Sequence, residues 1–211
     1  MLHTQTVNGS TLELLKSLQQ KEYLNDFFLV GGTALALYYG HRKSIDIDLF
    51  TNHAFDASWL VEQIQQDYPI QLHFTSTNTL KGSINNVKVD LIAHRYHYLE
   101  EPLVIDDLKI LAEIDLIAMK LNAISVSGQR SKDFIDIFFA LERHSIAEMI
   151  NAYQMKYGQQ GDMHVLKSLV FFDEVDLSDW PILIKAPGVK WNKVKAKIEK
   201  KVLEYSKSRN Q

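Results

Sequence analysis

The 211-residue chain is 46% hydrophobic and 23% charged, the balance of a globular protein of one domain or one domain with a small appendage, and this excludes disordered, collagen-like and coiled-coil classes. It has no cysteine, which excludes disulfide scaffolds, thiolate zinc sites, iron–sulfur clusters and thiol nucleophiles. The net charge of −3 is unevenly spread: residues 185–211 hold nine Lys/Arg against two Glu, a local +7, which leaves −10 on the first 184 residues, so the tail is expected to meet a polyanion, to fold back on its own acidic body, or to be a solvated helix face.

The opening MLHTQTVNGS lacks the basic and apolar regions of a secretory signal, and no apolar run reaches the roughly 18 residues of a membrane span; a cytoplasmic protein is expected. Ser10 and Glu13 have capping-box spacing, and Leu12, Leu15, Leu18 and Leu24 recur near helical intervals, which predicts an amphipathic first helix. Residues 27–30 read as a short strand ending at Gly31 and Gly32, and residues 33–39 as a helix stopped by Gly40. Residues 45–50 alternate with period two, a strand that turns Ile45, Ile47 and Leu49 to one face and Asp46 and Asp48 to the other.

A helix over 55–67 and a strand over 70–74 follow, the strand closed by a polar loop at 75–79. Ile84 and residues 87–92 flank Asn85 and Asn86, which suit a hairpin turn because Asn tolerates positive φ. Beyond about Asp106 the pattern becomes helical: 113–125, 132–143, 145–157, 162–172 and a lysine-rich helix near 190–206. The predicted class is α+β. A small mixed sheet with helices occupies 1–105, a helical C-terminal half occupies 106–211 with its basic tail at 185–211, and the boundary falls near Leu103–Asp107, after Pro102.

The chemistry gathers around Gly31 and Gly32 and, after 13 intervening residues, Asp46 and Asp48. Two carboxylates at i and i+2 of a strand point the same way with Cα atoms roughly 6.5–7 Å apart, so both side chains can reach one hard cation such as magnesium. The strand–Gly-Gly–helix unit upstream exposes backbone N–H groups where a phosphate can sit. A polyphosphate there, with magnesium bridging to Asp46 and Asp48, is the arrangement that phosphoryl or nucleotidyl transfer demands. Asp90 interrupts the otherwise apolar 87–92 strand. It is either a third metal ligand or proton acceptor, if that strand neighbours the one bearing Asp46, or the polar side of a half-buried strand.

Val30-Gly-Gly-Thr33, the spacing to Asp46 and Asp48, and Asp90 resemble the minimal nucleotidyltransferase signature of the DNA polymerase β superfamily. A longer match, which adds Lys120 in Ala118-Met-Lys-Leu-Asn-Ala123, Lys132-Asp-Phe-Ile-Asp136 and Phe171-Phe-Asp-Glu174, resembles the AbiEii/AbiGii-type nucleotidyltransferase toxins over residues 25–175. The resemblance implies a toxin that transfers nucleotides from an NTP, in studied relatives to the 3′ acceptor end of tRNA, under control of a cognate antitoxin. It implies that Gly31, Gly32 and Thr33 meet the triphosphate together with Lys120, that Asp46 and Asp48 bind magnesium or manganese, and that Lys120 and Asp133 form the later catalytic pair. Asp136 completes an Asp-x-x-Asp element supported by Lys132. The family often has Ser in place of Gly32, which here removes a hydroxyl, and Arg in place of Lys132, which here loses the fork geometry.

From the residues alone, Lys120 lies among Ile117, Leu121 and Ile124 and needs an acidic or phosphate partner, an ion pair with Asp133 or Asp136, or a path to solvent. Asp133 also suits a first-turn helix acid with Ser131 as cap, and Asp136 a pair with Lys132. His41, Arg42 and Lys43 are either nucleotide-facing cations or a solvated loop. His94, Arg95, Tyr96 and His97 are either a base-stacking group or a surface loop. Trp180 and Trp191 are expected to anchor the C-terminal segment, and no histidine spacing suggests zinc. The alternatives to an RNA-directed toxin are transfer to a small cationic acceptor such as an aminoglycoside or to a protein hydroxyl, and a non-catalytic binding module.

Overall fold

Two apolar stretches at the centre of the sheet, Phe28–Leu29 (β1) and Ile47–Thr51 (β2), pair antiparallel in the computed structural model, which describes residues 1–209. Ile47 and Leu49 are fully buried on one face of β2, as the alternation predicts. Ile45, expected to join them, is 58% exposed, because the strand begins only at Ile47 and the chain ahead of it is a loop carrying Asp46.

Ile70–Ser76 (β3), Thr79–Ile84 (β4) and Val87–Ala93 (β5) form a meander on one side of β2; Leu103–Ile105 (β6) and Leu108–Ile110 (β7) form a hairpin on the other side of β1. The order is β3-β4-β5-β2-β1-β7-β6, a mixed sheet in which β2–β5 and β1–β7 are the parallel pairs. Asn85 and Asn86 turn the β4–β5 hairpin with φ of 52° and 63°, as expected, and Asp106 and Asp107 do the same for β6–β7 at 52° and 64°. The predicted boundary therefore falls inside a hairpin whose second strand belongs to the sheet. The predicted polar loop at 75–79 is also corrected, since β3 and β4 run through it with only Thr77 and Asn78 as the turn.

The helices are Gly9–Gln19 (α1), Gly31–Tyr39 (α2), Ala57–Asp67 (α3), Glu113–Val126 (α4), Ser131–Ala140 (α5), Ile146–Tyr157 (α6), Met163–Leu169 (α7) and Trp191–Ser208 (α8). Gly40, at φ 66°, ends α2 as expected. The capping box predicted at Ser10 is not formed: α1 starts earlier, with the Asn8 carbonyl accepting from Leu12 N–H at 2.9 Å. A capping box opens α6 instead, where Ser145 and Glu148 exchange bonds of 3.2 and 2.7 Å. Ser131, expected to cap α5, is its first helical residue and caps nothing. One core spans both halves of the chain, from Leu15 and Leu29 through Leu121 and Phe134 to Val194 and Ile198.

Candidate active site

The β2–β5 register sets Asp48 directly opposite Asp90, so the strand carrying Asp90 does neighbour the one carrying Asp48. Asp46 sits on the loop just ahead of β2, and α2 holds that loop. The buried Thr33 hydroxyl donates to the Asp46 carbonyl at 2.5 Å and lies 2.8 Å from Ser44 Oγ. Thr33 was expected to touch a triphosphate; its side chain instead positions Asp46. Gly31 begins α2 at φ +71°, and a Cβ there would overlap the Asp48 carboxylate, so this turn requires glycine on both conformational and steric grounds. At Gly32 the space a side chain would fill is taken by the Arg42 guanidinium.

Burial pushes Asp48 up to about 6, and the negative charges of Asp90 and Asp46 push the same way against the partial relief of Lys88 and Lys120. Asp90 Oδ2 lies 3.2 Å from Lys88 Nζ and 3.8 Å from Lys81 Nζ, whereas its buried Oδ1 has no partner. An orphaned carboxylate oxygen beside a carboxylate that resists ionising fits a cation. Among the described residues no three acids or histidines form a ready cage.

A second cluster lies behind the first. Lys120, on α4, is buried, with Nζ 2.8 Å from Asp133 Oδ1 and 3.0 Å from Asp136 Oδ2. Asp136, with no solvent exposure, also accepts from Arg42 Nε at 2.7 Å and Nη2 at 3.1 Å and from His41 Nε2 at 2.7 Å. Burial alone would raise the Asp136 pKa, but Arg42, Lys120 and His41 outweigh it and hold the group well below the usual carboxylate range. For Lys120, burial works against the ammonium, but Asp133 and Asp136 prevail and raise its pKa. Burial lowers His41, so its ring is neutral near pH 7, donates from Nε2 to Asp136 and leaves Nδ1 unprotonated and without a partner.

Two expectations change here. His41 and Arg42 are not a solvated loop: their exposures of 0% and 3% make them the buried partners of Asp136, and Arg42 also borders a cavity beside Gly32, Asp46 and Asp48. Lys132 does not pair with Asp136; it turns outward to Asp179. The ion pairs foreseen between Lys120 and the acids of α5 are both present.

A cavity of about 300 Å³ joins these parts, lined by Gly31, Asp46, Asp48, Asp90, Lys120 and Asp133. A second, of about 230 Å³, shares Gly32, Asp46 and Asp48 with it and extends past Lys132 to Trp180. Arg130 borders both cavities and Lys81 and Phe50 border the first; none of the three was singled out from sequence, and Phe50 had a usable signal in its i+2 spacing from Asp48. Trp180 packs edge-on against Trp191 at 6.3 Å and so anchors the start of α8, as expected.

Residues 13–67 match the model of a family described as "Nucleotidyl transferase AbiEii toxin, Type IV TA system", a segment that includes Gly31, Gly32, Asp46 and Asp48. An uncharacterised protein of Aquifex aeolicus (strain VF5) is 31% identical over 199 residues, covering 92% of this chain and 94% of its own. Among solved structures, a candidate nucleotidyltransferase of H. pylori superposes with a TM-score of 0.55 at 12% identity, covering 95% of this chain and 96% of that one. MenT4, a nucleotidyltransferase toxin of Mycobacterium tuberculosis H37Rv, superposes at 0.54 and 13% identity, covering 92% and 84%. These two likenesses concern the fold.

Proposed function

Because the chain belongs to the AbiEii nucleotidyltransferase toxin family, we propose that this nucleotidyltransferase moves a nucleoside monophosphate from an NTP to the 3′-terminal hydroxyl of tRNA, in the cytoplasm and under restraint by a cognate antitoxin. The carrying observation is the register that sets Asp48 against Asp90 in one cavity with Asp46 and Lys120. No described helix is long and apolar enough to cross a membrane.

Asp46 and Asp48 are the residues to hold magnesium, with Asp90 as third ligand or as proton acceptor. Bound there, the metal supplies neutralisation of phosphate charge. The acceptor oxygen forms a bond to the α-phosphorus, the bond from that phosphorus to the β-bridging oxygen breaks, and pyrophosphate leaves. Where Asp90 is the base, its Oδ1, which has no partner, takes the hydroxyl proton. Lys120 faces the phosphates, its charge maintained by Asp133 and Asp136. The N–H groups that open α2 at Gly31 and Gly32 favour the triphosphate.

The test is incubation of the protein with magnesium, each α-labelled NTP in turn and total tRNA. Label in tRNA that vanishes with Asp46→Ala/Asp48→Ala supports the reading. No transfer from any of the four NTPs, with NTP binding retained, would move the acceptor to a small molecule or a protein hydroxyl.

The tail divides into two groups of cations. Lys185 meets Glu142 at 2.5 Å and Arg209 pairs with Asp162, folding back on the acidic body. Lys193, Lys200 and Lys207 recur every seven residues along the exposed side of α8, opposite the buried Val194, Ile198 and Val202. Deleting α8 would remove core residues, so charge reversal is the cleaner probe of an RNA grip. Lys193→Glu/Lys200→Glu/Lys207→Glu is expected to weaken tRNA binding and to flatten its dependence on log salt by roughly 0.7 for each phosphate no longer neutralised. An unchanged salt slope would leave the tail as a solvated face.

A further inference from the structure

We propose that Phe50 is a stacking wall for a nucleobase in the active-site cavity, backed by His94 and Tyr96, an assignment that rests on the nucleotidyltransferase reading of that cavity. Two residues beyond the facing pair Asp48 and Asp90, β2 and β5 set Phe50 against Ile92. With a strand period of two, all four lie on one face, so the cavity wall changes from carboxylate to apolar within roughly 6.5–7 Å. The opposite wall repeats the change: on α4, Leu116, Met119 and Ala123 border the cavity on either side of Lys120. A polar end built for phosphate and a narrow apolar end a few ångströms away match the two ends of a nucleotide.

The apolar end presents an aromatic face with support behind it. Phe50 lies 6.1 Å from the His94 ring, and His94 lies 4.8 Å from Tyr96. The loop bearing both is fixed to the strand by a 2.7 Å bond from His94 N–H to the Thr51 carbonyl, and the Tyr157 hydroxyl lies 3.2 Å from His94 Nε2. Burial, then the Lys156 charge, lowers His94 to about 4, so the ring behind Phe50 is neutral at working pH. The side chains at this end, Phe50, Ile92, Leu116, Met119 and Ala123, carry no hydrogen-bonding group, so the base is held by its face, a sequence-tolerant mode. The base belongs to the NTP or to the terminal nucleotide of the RNA acceptor; the chemistry of the wall is the same for both.

The test compares full-length wild type, Phe50→Leu and Phe50→Trp for binding of magnesium-ATP, magnesium-tripolyphosphate and tRNA, with circular dichroism to verify folding. If the base is that of the NTP, Phe50→Leu loses about 5- to 100-fold in ATP affinity and nothing for tripolyphosphate. Phe50→Trp then keeps ATP affinity and shows ATP-dependent quenching of indole fluorescence beyond that of wild type. If the base is that of the acceptor, the same loss falls on tRNA affinity and ATP binding is unchanged. Unchanged affinity for both ATP and tRNA in a folded Phe50→Leu overturns the proposal. Because these are binding measurements, they read out even where wild type transfers no nucleotide, a result that would sink the proposed reaction alone.

Discussion

Replacement of Asp48 by Asn is expected to abolish transfer and, at the same time, to raise the melting temperature of the free protein. Asp48 faces Asp90 across two parallel strands, and burial with neighbouring negative charge pushes its pKa up to about 6. Near neutrality the fold therefore carries a carboxylate that it would rather protonate, a condition that the cation proposed at this site would relieve. The neutral amide removes that cost, about 1–2 kcal/mol after allowance for partial solvation, or a gain of about 2–8 °C for a chain of this length. Activity should fall by more than about 100-fold, as when a preorganised electrostatic group is lost. The sign with pH follows from the raised pKa. The stability that protonation of Asp48 confers on wild type is complete below about pH 4 and lost as pH rises through about 6. The advantage of the variant should then be largest above pH 6 and gone near pH 4. A variant with unchanged stability at pH 7.5, or with wild-type transfer, would remove Asp48 from the role described.

Asp136→Ala should have the largest effect on stability. Its carboxylate is the common partner of His41, Arg42 and Lys120, all buried, and its removal leaves the Arg42 guanidinium without its acid and Lys120 with Asp133 alone. Breaking a buried pair from one side costs about 3–5 kcal/mol, or a fall of roughly 6–20 °C. Lys132→Ala is the contrasting case. Its partner Asp179 is 77% exposed, and the pair should be worth less than about 1 kcal/mol. Thermal melts of the two variants beside wild type are the check; equal shifts would show that the Asp136 network is not the anchor it is described to be. Acidification should reproduce part of the loss. The Asp136 pKa is depressed, so its contribution is full above about pH 4 and lost as pH falls below that. His41 is likewise depressed, so protonation of the unfolded chain erodes stability from about pH 6.5 downward.

How much of this was legible depended on the range of the signal. The helices of the second half were read within a few residues of their ends because each buries a stripe at helical spacing, as Ile117, Leu121 and Ile124 do on α4. The Asn85-Asn86 turn was legible because positive φ selects its residues. The stretch 75–79 misled for the opposite reason: β3 is an edge strand whose residues 71–76 are all exposed, so no buried face imposes an alternation. The basic tripeptide at 41–43 misled because a short polar stretch between helix and strand looks solvated, while its partner Asp136 lies 94 residues from Arg42 along the chain.

The class of the fold and the inventory of reactive groups were already present in the order of the residues. Local periodicity and turn chemistry depend on neighbours a few positions away, and the glycine turn with Asp46 and Asp48 is one such local unit. Which groups act together was settled by folding. The parallel register brings Asp90 to Asp48 and Ile92 to Phe50, and the packing of α4 and α5 against the loop after α2 binds Lys120, Arg42 and His41 to Asp136. Those pairings are set by burial and charge across distant segments, where a charged group's partner is whichever opposite charge the closed core leaves within reach.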